Sequence, residues 1–148
     1  AAPGGGRADL RSPQAVAEPA PTGGPLRFDA PMRAKDQLGL DGEAAASVHL
    51  ERAGMRIVER RWRCAYGELD IVALDGDTLV FVEVKTRRGL AHGHPFEAIT
   101  PAKVRRLRTL AGLWLQERPH RGPIRMDAVG IVAPRAGSWR VEHLRGIQ

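Results

Sequence analysis

The pattern of apolar and polar positions divides the chain into two unlike parts. Residues 1–31 are dense in Gly, Pro and Ala and show no apolar periodicity. Such a segment buries too little apolar surface to offset the entropy lost on ordering, so it is predicted to be disordered. The folded domain is predicted over residues 32–148. Met32 is the first methionine, and a translation start there would place residues 1–31 upstream of the true protein.

Helical and strand-like patterns follow one another in the second part. Small and apolar residues recur at helical spacing from Asp36 to Gly54, where glycine is a typical helix stop. A second amphipathic stretch begins with an N-cap and a first-turn proline, Thr100 and Pro101, and ends before Pro119. Strand-like segments are predicted at 55–67, 68–74, 78–86, 126–134 and 138–144. The order α-β-β-β-α-β-β predicts one α/β domain with a central mixed sheet flanked by helices.

Composition and charge narrow the function classes. The net charge is +6 and the sequence pI is about 10.6, which favours nucleic acid over an anionic membrane as partner, although biased genome composition also explains arginine abundance. No apolar run is long enough for a membrane-spanning helix, which excludes an integral helical membrane protein. The single cysteine, Cys64, excludes an internal disulfide framework, and a reducing cytoplasm is the expected compartment.

Acidic residues converge at one end of a predicted hairpin. A two-residue turn at 76–77 would pair Asp70 with Glu83 on adjacent antiparallel strands. Directly opposed residues project from the same face with Cβ atoms about 5 Å apart. Lys85 lies two residues beyond Glu83, so it is expected on that face, opposite Glu68. Away from this end both faces of the hairpin are apolar, which predicts a central hairpin covered on two sides.

Two interpretations of this charged end are open. Carboxylates held so close repel one another unless a cation lies between them, and Mg²⁺ prefers such oxygen ligands. An adjacent lysine then suits metal-assisted phosphodiester hydrolysis. The other interpretation is a cross-strand salt-bridge cluster, in which Glu68 pairs with Lys85 and Asp70 pairs with a nearby arginine.

The segment GELDIVALDGDTLVFVEVKTR resembles the core of the PD-(D/E)xK nuclease superfamily, which includes archaeal Holliday-junction resolvases. The wider pattern resembles the bacterial YraN-like family of endonuclease-related proteins. It runs from about Leu38 to Leu144 and consists of GEAAA, RRWRCAYGELDIVA, VFVEVKTRRG, KVRRLRTLAGLWL and RMDAVGIV. Leu69 replaces the proline of the superfamily's name. The resemblance implies a restriction-endonuclease-like fold.

The resemblance also implies roles for individual residues. Asp70 and Glu83 match the motif acids and are expected to bind Mg²⁺ or Mn²⁺. Glu43 of the first helix is expected as a further acidic ligand, directly or through a water, and the backbone carbonyl of Val84 would complete the site. Lys85 matches the motif lysine and is expected to be catalytic.

Basic residues around the motif are candidate contacts to nucleic-acid phosphates. They are Arg61, Arg63, Arg87, Arg88, Lys103 and Arg106. The expected activity is metal-dependent hydrolysis of DNA, with branched and repair intermediates among the candidate substrates. Two alternatives are a nucleic-acid-binding protein and an interaction module of a repair complex, neither of which cleaves alone. A homodimer is possible from the sequence, and no membrane partner is expected.

Overall fold

The computed structural model of the protein describes residues 15–18 and 33–148. Within them a six-stranded mixed sheet has the order β1-β6-β5-β4-β3-β2, with β4 and β5 parallel and the other neighbours antiparallel. The strands are β1 (Ala15–Glu18), β2 (Arg56–Cys64), β3 (Gly67–Asp75), β4 (Thr78–Arg87), β5 (Ile124–Val132) and β6 (Trp139–Arg145). The helices are α1 (Ala34–Arg52) and α2 (Pro101–Glu117), and a short 3-10 helix spans Pro95–Ala98.

The two helices cover opposite faces of the sheet, and each encloses its own apolar core. Successive strand residues point to opposite faces, so Phe81 packs with Trp114 of α2, whereas Val80 and Val82 pack with Leu50 of α1. The rings of Phe81 and Trp114 meet edge to face with centroids 5.6 Å apart. This arrangement confirms the predicted α/β, restriction-endonuclease-like fold with its hairpin covered on two sides.

The predicted helix ends are confirmed by their hydrogen bonds. At the end of α1, Gly54 has a φ of 93° and donates to the carbonyl of Glu51, while Met55 donates to the carbonyl of Leu50. This pair of bonds is the Schellman motif, which requires a residue in the left-handed region and therefore favours glycine. At the start of α2, the Thr100 hydroxyl accepts from the Lys103 amide at 3.3 Å.

The predicted hairpin register is confirmed along most of its length. Asp75 pairs with Thr78 and Val72 with Phe81, and the pairing continues as far as Ile71 with Val82. Beyond that pair the β3–β4 ladder gives way to a side-chain contact. The charged end of the hairpin is therefore where the two strands stop pairing through their backbones.

The strand β1 corrects the prediction for residues 1–31 at four positions. Ala15–Glu18 were expected to be disordered, but they pair with β6 at the edge of the sheet. Glu18 is buried, and its carboxylate contacts Arg52 and His49 of α1. These ion pairs and the backbone ladder compensate for the small apolar area of the strand. The other residues of 1–31, and the candidate start at Met32, lie outside the described residues.

Regular alternation is interrupted in the first half of β3. Strict alternation would place Leu69 and Ile71 on one face and Val72 on the other. Instead Leu69 and Val72 both pack on the α2 side, and Ile71 packs on the α1 side. The neighbouring strand contains Arg61 in the left-handed region, with a φ of 53°, beside this interruption.

This interruption changes the face on which Asp70 lies. Asp70 and Glu83 are on adjacent antiparallel strands, as predicted, but the expected shared face is not observed. The carboxylate of Asp70 turns toward α1, where it meets an acid of that helix. Glu83 alternates regularly with its neighbours on β4 and lies on the side of Phe81, toward α2.

Candidate active site

Three carboxylates meet between α1 and β3. Glu43, Glu68 and Asp70 each offer an oxygen, and these oxygens all lie within 4.8 Å of one another. Among the described residues this is the one group of three or more potential metal ligands at such spacing. We call these three residues the acidic cluster.

A glycine allows α1 to bring Glu43 to the sheet. A Cβ at Gly42 would overlap the side chain of Thr86 on β4, so the helix approaches the strand closely only because this position lacks a side chain. The next residue, Glu43, then projects toward Asp70. The GEAAA motif therefore has a packing role at its glycine and supplies an acid at its glutamate.

Asp70 binds the exposed end of the β4 backbone. Its Oδ2 accepts a hydrogen bond from the Val84 amide at 2.9 Å, where the strand ladder has ended. Burial raises the pKa of Asp70 to about 6, with the Val84 bond lowering it and the charge of Glu68 raising it further. The Val84 amide is thus engaged by Asp70, whereas a metal-ligating role for its carbonyl stays a prediction.

Glu43 is the least satisfied member of the acidic cluster. Its Oε2 is buried and has no hydrogen-bond partner within the described residues, although the Arg61 Nε lies 3.5 Å away as an ion pair. Burial and then the charge of Asp70 raise the pKa of Glu43 to about 7. A buried acceptor without a donor is costly, so this oxygen is available to a further ligand.

Glu83 approaches the same region from the α2 face. Burial raises its pKa to about 7, and the charge of Asp70 is the next cause in that direction. Lys103 and Arg106 of α2 lower it. Glu83 is not a member of the acidic cluster, but it is close enough for the charge of Asp70 to affect its ionisation.

Arginines partly neutralise the acidic cluster. The Nε of Arg61 donates to Glu68 at 3.4 Å, and the Nε of Arg63 donates to the other oxygen of Glu68 at 3.2 Å. The expected pairing of Glu68 with Lys85 is therefore wrong, because the two arginines on the adjacent strand occupy both of its carboxylate oxygens. Lys85 makes no ion pair with any acid in the described segments.

The cluster opens into a cavity of about 510 Å³ with basic side chains around it. Lys35, Arg61, Arg63 and Lys85 all line this cavity. Burial, then the charges of Lys103, Arg87 and Lys35, lower the pKa of Lys85. The sequence contains three lysines. The charges of Lys35 and Lys103 both affect the pKa of Lys85, so all three lie in the same region of the fold. An acidic floor with a cationic rim suits a ligand that carries both a metal ion and phosphate oxygens.

The comparisons with known proteins agree on one family. Residues 42–131 match the model of the Uncharacterised protein family UPF0102. The UPF0102 protein of Arthrobacter sp. (strain FB24) is 57% identical over 117 residues, 78% of this chain and 99% of the relative. Those of Beutenbergia cavernae and Streptomyces griseus subsp. griseus are 57% and 50% identical, over 78% of this chain and 99% of each relative.

The chain belongs to the UPF0102 family. This is the YraN-like family that the motifs resemble, so that part of the sequence prediction is confirmed. The matched region contains all of the acidic cluster, Glu83 and Lys85. In the described part of this family member, no helix is long and apolar enough to cross a membrane.

The residues present fit a divalent cation. Three carboxylates share a small volume, and the buried Oε2 of Glu43 lacks a hydrogen-bond donor in the residues that are described. Mg²⁺ and Mn²⁺ take oxygen ligands of this kind, and a cation would offset the repulsion that contributes to the raised pKa values. Glu43, Glu68 and Asp70 would hold the ion, whereas a ligand role for Glu83 stays a prediction.

The other predicted phosphate contacts differ in whether their side chains are already engaged in hydrogen bonds within the protein. The guanidinium of Arg87 donates to the carbonyl of His92 at 2.9 Å, and that of Arg88 donates to the carbonyl of Ala133 at 3.3 Å. These two side chains therefore link the end of β4 to the backbone of neighbouring loops. Lys103 and Arg106 are exposed on α2, near Glu83. They have no ion pair within the described ranges that would compete with a phosphate.

Two site-lining residues were missed or underrated by reasoning from sequence. Lys35 lies in the first turn of α1 and lines the cavity, but no motif marks it. Glu68 was expected mainly as a partner for lysine. The signal for it was its spacing of two from Asp70, which places both side chains on one face of a strand.

Proposed function

We propose that the protein is a metal-dependent nuclease that hydrolyses phosphodiester bonds of DNA at the acidic cluster. The observation that supports this most is the combination of three convergent carboxylates with a buried Glu43 oxygen that lacks a donor in the described residues. A structural salt-bridge network normally satisfies its buried oxygens. This cluster leaves one unsatisfied at the floor of an open cavity.

The cation in this proposal is Mg²⁺ or Mn²⁺. When bound, it supplies charge stabilisation at a phosphate and makes a nearby water more acidic. Glu43, Glu68 and Asp70 would hold it. Glu83, which the family resemblance implies as a ligand, would add a further carboxylate. The Val84 amide keeps the Asp70 carboxylate oriented through its 2.9 Å hydrogen bond, so the ligand is positioned before any ion arrives.

Lys85 and the arginines act on the nucleic acid. Lys85 lines the cavity and makes no ion pair within the described residues, so its ammonium group is available to stabilise negative charge on the phosphate under attack. Arg61 and Arg63 line the same cavity with partly exposed guanidinium groups, which would be able to contact phosphate oxygens if a cation neutralised Glu68. The net charge of +6 adds a general attraction for DNA.

A second candidate is a nucleic-acid-binding protein that does not cleave. It is favoured by the ion pairs of Arg61 and Arg63 with the acidic cluster, because a network that already neutralises its acids has less need of a cation. An interaction module of a repair complex belongs to the same non-cleaving class. The orphaned Glu43 oxygen argues for the nuclease instead.

The deciding experiment combines metal binding with cleavage. Wild type is titrated with Mn²⁺ by calorimetry and is then incubated with Mg²⁺ or Mn²⁺ and a panel of plasmid, single strand, flap and four-way junction. Asp70→Asn, Glu43→Gln and Lys85→Ala are compared with two charge-matched controls. Asp77→Asn lies at the exposed turn of the same hairpin, and Glu51→Gln lies on the exposed side of α1.

The nuclease proposal predicts a specific pattern. Asp70→Asn and Glu43→Gln lose metal binding and cleavage, Lys85→Ala loses cleavage but keeps metal binding, and both controls behave as wild type. The preferred member of the panel identifies the substrate structure. Wild type that binds DNA but neither binds Mn²⁺ nor cuts any substrate would replace the nuclease with the non-cleaving binder.

A further inference from the structure

An aromatic side chain stands exposed beside the candidate active site. Tyr66 lies in the tight turn between β2 and β3, and it is 72% exposed, more than any other large hydrophobic side chain in the described residues. It is the single tyrosine of the sequence. A ring so exposed contributes little to the core, so its packing does not account for its presence.

The turn brings this ring close to the acidic cluster. Tyr66 is two residues from Glu68, and consecutive Cα atoms are about 3.8 Å apart, so their Cα atoms are separated by at most about 7.6 Å. A second depression of about 360 Å³ adjoins the turn, and it shares Arg63 and Glu68 with the larger cavity. The two cavities therefore adjoin at Arg63 and Glu68, at the base of the turn that carries Tyr66.

An arginine of α2 packs directly against the same turn. Gly67 has a φ of 147°, and a Cβ at that position would lie 2.6 Å from a guanidinium nitrogen of Arg106. The missing side chain lets the guanidinium approach the turn, while the Cys64–Gly67 strand pair fixes its base. Two arginines, Arg63 and Arg106, thus line the second depression at the base of the turn.

Resting on the proposed nuclease function, we propose that Tyr66 stacks on an unpaired nucleobase next to the phosphate held at the acidic cluster. Aromatic rings beside cationic groups bind single-stranded nucleic acid by base stacking and phosphate contacts together. In a continuous duplex both faces of each base are covered by neighbouring bases. A ring that projects from a turn therefore needs a base with an open face, which single strands, flaps and frayed ends supply.

The alternative occupants have different chemistry. A tyrosine that contacts a protein partner would act without regard to nucleic-acid strandedness, and a tyrosine that is only exposed would not affect binding. Single exposed hydrophobic residues are common on protein surfaces. The charge around this one is what favours nucleic acid, because Arg63 and Arg106 line the depression next to the turn and complement phosphate.

Binding is measured by fluorescence anisotropy in EDTA, so that cleavage and metal binding do not enter. The probes are labelled oligothymidylate, the matching ribo-oligonucleotide and a blunt duplex of the same length. Tyr66→Ala is compared with Tyr66→Phe and Tyr66→Trp, which keep a flat ring. Ile124→Ala removes an exposed apolar side chain at the start of β5, where Ile124 pairs with Leu79 near the opposite end of the hairpin, and is the control.

The stacking proposal predicts that Tyr66→Ala weakens single-strand binding by on the order of tenfold. Duplex binding changes less than about twofold, the two aromatic variants retain wild-type affinity, and the control is unaffected. The arm that loses more affinity, deoxy or ribo, identifies the favoured strand. In a second measurement, 2-aminopurine in the strand is quenched by wild type and Tyr66→Phe but not by Tyr66→Ala.

The two proposals fail in distinguishable ways. Equal losses for single strand and duplex, or no loss for either, would overturn stacking while the metal and cleavage results stand. Wild type that binds none of the three probes in EDTA would also overturn stacking, and the nuclease proposal would then be decided by the metal-binding and cleavage results alone. A melting temperature of Tyr66→Ala within about 1 °C of wild type confirms that the exposed side chain has been removed without unfolding.

Discussion

Two acidic regions of this fold, the fully buried Asp127 and the half-buried acidic cluster, differ in how their charges are compensated. Asp127 on β5 is fully buried and has a partner on every side. It accepts from Arg125 at 2.8 Å, from the Gly146 amide at 3.0 Å, and contacts the Nε2 of His143 at 2.8 Å. The acidic cluster brings three carboxylates together and leaves a buried oxygen of Glu43 without a donor in the described residues.

The pKa values follow this difference. Burial alone would raise the pKa of Asp127, but the bonds from His143, Arg125 and Gly146 outweigh it and hold the pKa below 3.8. Burial raises the pKa of Glu43 to about 7 and that of Asp70 to about 6, because their partners do not compensate for it. A satisfied buried charge stabilises a fold, whereas an unsatisfied group of like charges costs stability and is retained for a ligand.

The largest expected effect is on catalysis at the acidic cluster. Asp70→Asn keeps the shape of the side chain and its contact with the Val84 amide but removes a ligand charge. We expect cleavage to fall at least about 1,000-fold, since metal ions supply several kcal/mol to such reactions. The check is kcat/KM on the best substrate of the panel, with Asp77→Asn as control. Undiminished cleavage by Asp70→Asn would remove this carboxylate from the chemistry.

The next largest effect is on folding at Asp127. Asp127→Ala leaves the guanidinium of Arg125 and the ring of His143 without their buried partner, which costs about 3 kcal/mol of unfolding free energy. The low end of the usual range applies because Arg125 is partly exposed and recovers some hydration. Urea unfolding monitored by circular dichroism measures the change. Asp77→Ala, at an exposed turn, should stay within about 0.5 kcal/mol of wild type.

Much of the fold was predictable because local chemistry determined it. The end of α1 requires the backbone freedom of Gly54, and the start of α2 requires the hydroxyl of Thr100. These two helix boundaries could therefore be predicted from the sequence. The two-residue turn after Asp75 specified the hairpin register as far as Ile71 and Val82. The acids of the candidate site were also recognisable, because GEAAA, GELD and FVEVKTR carry the motif residues that the family resemblance implies.

The structure departs from the sequence prediction where contacts between distant parts of the chain determine the local conformation. A left-handed Arg61 is not readable from sequence, since the arginine side chain has no preference for that region. It lies beside the break in alternation that turns Asp70 toward α1. The described part of strand β1 has four residues, and it is stabilised by β6 and by contacts of Glu18 with α1 that no local pattern reveals.

The effect of a metal ion on the unfolding free energy directly tests the contrast between Asp127 and the acidic cluster. If the acidic cluster is retained for a cation, Mn²⁺ should stabilise the fold by RT ln(1 + [Mn²⁺]/Kd), which is about 2.7 kcal/mol at 100 times Kd. Urea unfolding with and without Mn²⁺ measures this gain. Glu43→Gln should abolish it, whereas Glu51→Gln should keep it. A gain that survives in the Glu43→Gln, Asp70→Asn double variant would place the ion elsewhere.

The smallest expected effect is a pair of opposite pH slopes in the metal-free protein. Asp127 has a lowered pKa, so its stabilisation is present above about pH 4 and is lost as the pH falls through its folded value. Glu43 and Asp70 have raised pKa values, so the folded state holds more protons than the unfolded state between about pH 4 and 7. Their share of the stability is present below that window and is lost as the pH rises through it.

Differences in unfolding free energy between variants separate these pH slopes from those of other titrating groups. His49, whose pKa burial lowers, contributes a slope of the opposite sign near pH 6, so wild type alone does not separate the causes. Unfolding free energies from pH 2 to 8 are therefore compared between variants. Asp127→Asn should flatten the acid limb only, and the Glu43→Gln, Asp70→Asn double variant should gain stability relative to wild type as pH rises from 5 to 8. A double variant that instead loses stability over that range would mean that the three carboxylates are compensated in the folded protein, and the distinction between the two regions would not hold.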